Sequence, residues 1–223
     1  MIKLTDAALY YVEESQQYDA WEWLESQVDP TTLEIFGQKF RDKPEAVVAN
    51  PLQIVWQSQL DNASGTGYRE CFSSSMAMIA MYWGKVKNDD EYNSIRSKYG
   101  DTTDASAQLA CLRSLGLNPT FVTNASVQTL QNEIDNGRPV GVGWLHHGPS
   151  SAPSGGGHWS VVIGYDESGV IMADPNGEAD LVNGGYTPNK NGDGLHYSYK
   201  NWEPRWSPGS RNDGWCMIVK PGK

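Results

Sequence analysis

Positions from Ser75 to Trp83 (SMAMIAMYW) are apolar or small, whereas Gln59 to Glu70 before them form a polar, Gly- and Ser-containing loop. A segment without a polar stripe predicts a buried helix, here opening at Cys71 and stopped by Gly84. Asn88 to Tyr99 is polar, which predicts an exposed helix ended by Gly100. Asp104 is placed to cap a helix over Ala105–Leu115, with Gly116 as its stop and Ala107, Cys111 and Leu115 on one face. Thr120–Thr123 is a short strand, and Ser126 caps a helix that ends at Asn136-Gly137. The period then changes to two. Pro139–His146, His158–Tyr165, Val170–Ala173 and Gly214–Val219 predict strands separated by Gly-, Ser- and Pro-rich loops. Near the N-terminus, Tyr18, Trp21, Leu24 and Val28, then Leu33, Phe36 and Phe40, recur at helical spacing on either side of Asp29-Pro30. They predict two or three short helices within residues 5–43, for packing or docking. Lys43-Pro44-Glu45 marks a junction, so residues 1–45 are read as an N-terminal helical segment and 46–223 as the main domain. Helices first and strands afterwards give the α+β class, with a helix-rich half and an antiparallel sheet half.

Composition narrows the partners. The 223 residues suffice for a full core, and the formal net charge is −10 with no basic run. Nucleic acid and anionic membranes are therefore not expected as partners. No apolar run reaches the ~20 residues of a membrane span, and the N-terminus lacks the pattern of a secretory signal. The chain is expected to be made in a cytosol and to act elsewhere only after release. Three separated cysteines, Cys71, Cys111 and Cys216, fit neither a zinc ribbon nor a disulfide scaffold. Cys111 and Cys216 fall on core faces. Of the nine tryptophans, several sit late with tyrosines (Tyr197, Tyr199, Trp202, Trp206, Trp215), and a surface subset would suit carbohydrate or peptide binding.

Candidate chemistry centres on Cys71. A thiol at a helix start meets unpaired amides and the positive end of the macrodipole, and the thiolate is the nucleophile. His158 opens one predicted strand and Asp174 closes the next, so an antiparallel hairpin sets them side by side. Asp174 can then hold one ring nitrogen of His158 while the other faces Cys71. Gln59 can offer its amide to a developing oxyanion together with the Cys71 N–H; Gln57 is its rival. His146 and His147, adjacent on a strand and so directed to opposite faces, together with Trp159 and Trp202, are candidate substrate contacts. No cofactor or metal is called for. A zinc amidase using some of His146, His147, His158 and His196 is the competing hydrolase, although their spacing matches no metal motif. Asn189–Gly194 looks like the start of a calcium loop, but Lys200 occupies the position of the closing glutamate, which makes it a polar turn.

Four segments together, Ser58–Asn62, Cys71–Met78, Gly157–Tyr165 and Ala173-Asp174-Pro175, resemble the C39-like branch of papain-fold cysteine peptidases. The likeness covers roughly Pro51 to Val219 and is most similar to versions that bacteriophages carry as peptidoglycan hydrolases. It implies a papain-like fold, with Cys71 as nucleophile, His158 as general base, Asp174 as its orienting residue and Gln59 in the oxyanion hole. It also implies an endolysin or virion-borne lysin, monomeric, held in the host cytoplasm until it reaches the wall. The chain departs from the pattern at Phe72, where many members have Gly or Asn. A non-catalytic binding module and a leader-peptide peptidase, an activity some members carry as parts of transporters, are the remaining readings.

Overall fold

The computed structural model describes residues 51–209 and 212–222, which belong to one compact unit, Val48–Lys223. The helices expected within 5–43 lie outside the described residues.

Two 3-10 turns, Gln59–Asp61 and Gly67–Arg69, lead into α1 (Cys71–Tyr82). Then follow α2 (Asp89–Arg96), α3 (Ala105–Ser114), β1 (Leu117–Ala125), α4 (Val127–Asp135), β2 (Val140–Trp144), β3 (His158–Tyr165), β4 (Gly169–Ala173), β5 (Leu195–Ser198), α5 (Tyr199–Trp206) and β6 (Gly214–Pro221). The strands form one sheet in the order β1-β6-β2-β3-β4-β5, every neighbouring pair antiparallel. Both faces are covered, and β1, β3, β4 and β6 divide their side chains between two cores. Met217 and Val219 of β6 and Val161 and Ile163 of β3 pack with Phe72, Met76 and Ile79 of α1. Cys216, Val162, Val140 and Val142 pack instead with Leu130 and Ile134 of α4 and Trp202 and Trp206 of α5.

Side-chain caps are present at three helices, at Asp104 and Ser126 as expected and also at Asn88. Asn88, Asp104 and Ser126 accept from the backbone N–H of Glu91, Ser106 and Thr129 respectively. α2 is not the exposed helix its polarity suggests. Asp89, Tyr92, Asn93 and Arg96 form a buried face. Each has a polar partner: Ser74 Oγ donates to Asp89, Tyr92 donates to Gln108, and Arg96 donates to Asn93 and to the Gly100 carbonyl. Hydrogen bonding offsets the desolvation that would otherwise keep these groups at the surface.

α1 and the sheet are joined by one aromatic contact. Phe72 lies parallel to Trp159 of β3, with ring centroids 3.7 Å apart and planes 5° from parallel. Gly143 of β2 makes room for the indole, since a Cβ there would come within 2.9 Å of it. Phe72→Ala is therefore expected to lower unfolding free energy by about 3–5 kcal/mol, whereas Val55→Ala, at an exposed site, should change it by less than about 0.5 kcal/mol. Urea denaturation of both variants checks this.

Candidate active site

Cys71 is the first residue of α1 and is half-buried. β2 and β3 pair so that Trp144 faces His158, and the β3–β4 hairpin brings Ala173 opposite Val161. Asp174, one residue past the end of β4, thus comes to the ring of His158, the first residue of β3. His158 Nε2 and Asp174 Oδ1 are 2.8 Å apart, and both side chains are buried. The other ring nitrogen, Nδ1, is left for the Cys71 sulfur, which is hydrogen-bonded to His158 and accepts from the Trp159 backbone N–H. The sequence placed these three residues together, and the structure brings them together.

The electrostatics favour an ion pair. Burial by itself would raise the Cys71 thiol, but the charge and hydrogen bond of His158 and the Trp159 amide bring it below the ordinary thiol value. Burial would likewise pull His158 down. The negative charges of Asp174 and Cys71 outweigh it and push the imidazole up to about 10. Cys111 and Cys216 are raised by burial, Cys216 to about 12. The charge of Arg96 acts on Cys111 but is outweighed by burial, so of the three thiols Cys71 alone is brought below the ordinary value.

The 51–59 segment is fastened to the Asp174 turn. Trp56 Nε1 donates to the Asp174 carbonyl at 2.8 Å, and the Gln59 N–H donates to the Pro175 carbonyl at 2.8 Å. Gln59 is buried, and its Nε2 donates to the Gly67 carbonyl at 2.9 Å, which fixes the amide's orientation and leaves its second proton uncommitted. The approach requires glycine at 67, because a Cβ there would stand 1.9 Å from the Gln59 carbonyl oxygen. Gln57 is turned elsewhere, donating to the Trp56 carbonyl and accepting from the Asp89 N–H. The loop between Gln59 and Cys71 is tied by Glu70, whose buried carboxylate accepts from Asn62, Ser64 and Thr66 at 2.6, 2.9 and 2.8 Å.

The substrate-contact candidates separate. Trp202 is fully buried at 0% exposure in the core beneath the sheet, stacked on Trp206, and cannot touch a substrate. His146 and His147 do not diverge as strand neighbours would. β2 ends at Trp144, and beyond it their rings come to 3.9 Å between centroids. His146 lies 5.8 Å from His158 by ring centroids, and burial, followed by the charge of His158, holds it down to about 4. Its loop is held by Arg205, a buried guanidinium that donates to the carbonyls of Leu145, His147, Gly148 and Leu181. Trp159 lines an open cleft of about 420 Å³ with Gly143, Gly155, Gly156, Gly157 and Trp215, the last 53% exposed.

Three residues that no sequence pattern indicated also surround the His158–Asp174 pair. Trp144 and Tyr186 stand edge-on to its ring at 5.3 and 5.5 Å, and Tyr197 donates to Asp174. Tyr186 lies in a loop, which carries no periodicity. Tyr197 belongs to a strand of four residues followed by a helix containing Pro204, a combination that hides both elements. Among the described residues, no three His, Cys, Asp or Glu side chains are grouped as ligands for a metal ion.

The sequence model of the Peptidase_C39 like family matches residues 51–203. Among solved structures, one described as a C39-like peptidase from Bacillus anthracis has a TM-score of 0.54 at 15% identity, covering 81% of this chain and 100% of that one. A double glycine motif protease from an AMS/PCAT transporter, in complex with the leader peptide, has a TM-score of 0.51 at 18% identity, covering 80% and 99%. These likenesses show the fold, a helical half carrying the cysteine and an antiparallel sheet carrying histidine and aspartate. No curated protein matches the chain.

The ion pair is open to direct measurement. At pH 6 to 7, iodoacetamide is expected to modify Cys71 at least about tenfold faster than Cys111 or Cys216, read by peptide mass spectrometry. His158→Ala should remove that preference.

Proposed function

The chain belongs to the Peptidase_C39 like family, and we propose that it is a cysteine-dependent hydrolase that cuts a peptide or amide bond in the peptide part of bacterial peptidoglycan. The observation that carries the chemistry is the line Cys71–His158–Asp174, with its 2.8 Å Nε2–Oδ1 contact and its imidazolium-favouring surroundings. The Cys71 thiolate attacks the carbonyl carbon. The oxyanion that forms takes the Cys71 N–H and the uncommitted proton of the Gln59 amide, a contact worth about 3 kcal/mol. His158 gives its Nδ1 proton to the leaving nitrogen as the C–N bond breaks, which leaves an acyl-enzyme and a neutral imidazole. That imidazole then takes a proton from water while the oxygen attacks the thioester. The C–S bond breaks, and the thiolate and imidazolium return.

The wall substrate rests on the sequence resemblance to phage lysins and on the cleft lined by Gly157 and Trp159, the residues on either side of His158. Its open shape, glycine edge and two tryptophan faces suit a polymer bearing sugars and short peptides. In this reading the enzyme works as a monomer, waits in the host cytoplasm and reaches the wall on release. The fold likeness to a double glycine motif protease favours a second reading, cleavage of a leader peptide after paired glycines.

Digestion of purified peptidoglycan by wild type and Cys71→Ala, with mass spectrometry of the fragments, separates these. Soluble fragments are expected from wild type and none from the variant. Cleavage of a Gly-Gly peptide with an intact wall preparation would replace the first reading by the second. Gln59→Ala should lower kcat by about 10²- to 10³-fold. The rate should fall above about pH 10, where His158 loses the proton the leaving group needs. It should also fall on the acid side once the Cys71 thiolate takes up a proton, at a pH below the ordinary thiol value.

A further inference from the structure

The two oxygens of the buried Asp174 carboxylate are served by different elements. Oδ1 accepts from His158 Nε2 at 2.8 Å and from the Asn176 N–H at 2.9 Å. Oδ2 accepts from the hydroxyl of Tyr197, on β5, at 3.1 Å. That hydroxyl in turn accepts from the Ala179 N–H at 2.9 Å. A phenol has one proton to give, and with the amide occupying a lone pair the proton is directed at Oδ2. The Gly177 carbonyl, at 3.5 Å, is the weaker acceptor. Tyr197 is itself buried, edge-on to Trp144 at 6.0 Å, and Trp144 is edge-on to His158, so one indole spaces phenol and imidazole.

We propose that Tyr197 is a positioning residue of the catalytic chain: its hydroxyl fixes the rotation of the Asp174 carboxylate, keeps Oδ1 on His158 Nε2 and steadies the charge that holds the Cys71–His158 ion pair. The inference rests on the cysteine-hydrolase reading but not on the choice of substrate. Burial and the charge of Asp174 hold the phenol well above the usual tyrosine value, so it stays a donor at every working pH. The other titratable groups facing this chain are Cys71 from α1, His158 from β3, and His146, Glu178 and Tyr186 from the loops.

Tyr197→Phe keeps the ring and removes the proton. The Asp174 carboxylate is then free to rotate, so its hold on the His158 Nε2 proton, and through the imidazolium on the Cys71 thiolate, loosens. The acid limb of Cys71 alkylation by iodoacetamide is expected to move up by about one pH unit, with about a tenfold slower reaction at pH 6. In an Asp174→Asn background the same substitution should cause no further slowing, as it acts through the carboxylate. An unshifted limb, or equal slowing in both backgrounds, would overturn the proposal. Where thermal unfolding shows the Phe variant to be unfolded, 3-fluorotyrosine placed at position 197 keeps ring and hydroxyl and strengthens the donor. The limb should then move down, and no movement overturns the proposal. Ordinary-thiol reactivity of wild-type Cys71 would instead remove the hydrolase reading itself.

Discussion

The structure depends on keeping a positively charged imidazole inside the protein. Moving an ion out of water costs several kcal/mol even after relaxation, and His158 is buried. Asp174 offsets that cost from one side and the Cys71 sulfur from the other. Neither could do so at a distance, because only near-contact between opposite charges in a weakly screened site repays desolvation. The sheet register, the hairpin that presents Asp174 and the capless start of α1 all serve one narrow geometric requirement.

Two kinds of contact meet that requirement from opposite directions. The apolar one is the parallel stack of Phe72 on Trp159, in which the residue after the nucleophile is laid on the residue after the base. The departure from the family pattern at Phe72 thereby acquires a physical role, since the ring fixes the spacing between α1 and β3. The polar one is the fastening of the 51–59 segment and the Glu70-centred loop onto the Asp174 turn and α1. These bonds are directional, so they set the orientation of the Gln59 amide in a way that apolar packing could not.

Much of this was legible from residue order. Helix starts at Asp104 and Ser126 could be read because capping uses few residue types and leaves a local mark. The strand His158–Tyr165 could be read because it is a short run of apolar and β-branched residues bounded by a glycine-rich loop. What failed was non-local. α2 reads as a solvated helix, yet its polar side chains are buried against partners 3 to 23 residues away in sequence, such as Ser74, Gln108 and Glu70. His146 and His147 were assigned to a strand that ends two residues earlier, which reversed the relation of their rings. Trp202 looked like a surface aromatic because Pro204 concealed the helix that turns it inward. Cys71, His158 and Asp174 were recoverable because each sits at the end of an element, where sequence punctuation is strongest. Tyr197 and Tyr186 were not, because they meet the site across the sheet or from a loop.

Arg205 spreads one cation over backbone oxygens of two separate loops, and among the described residues it makes no direct ion pair, the charge of Asp180 acting on it only from a distance. A lysine could not reproduce that fork. Residues 145–148, 181–185 and the C-terminal turn of α5 consequently behave as a single mechanical part, so the wall of the cleft formed by Leu145 and Arg205 cannot be reshaped by exchanging one loop. Any redesign of what this enzyme accepts on that side would have to transplant all three pieces as a set.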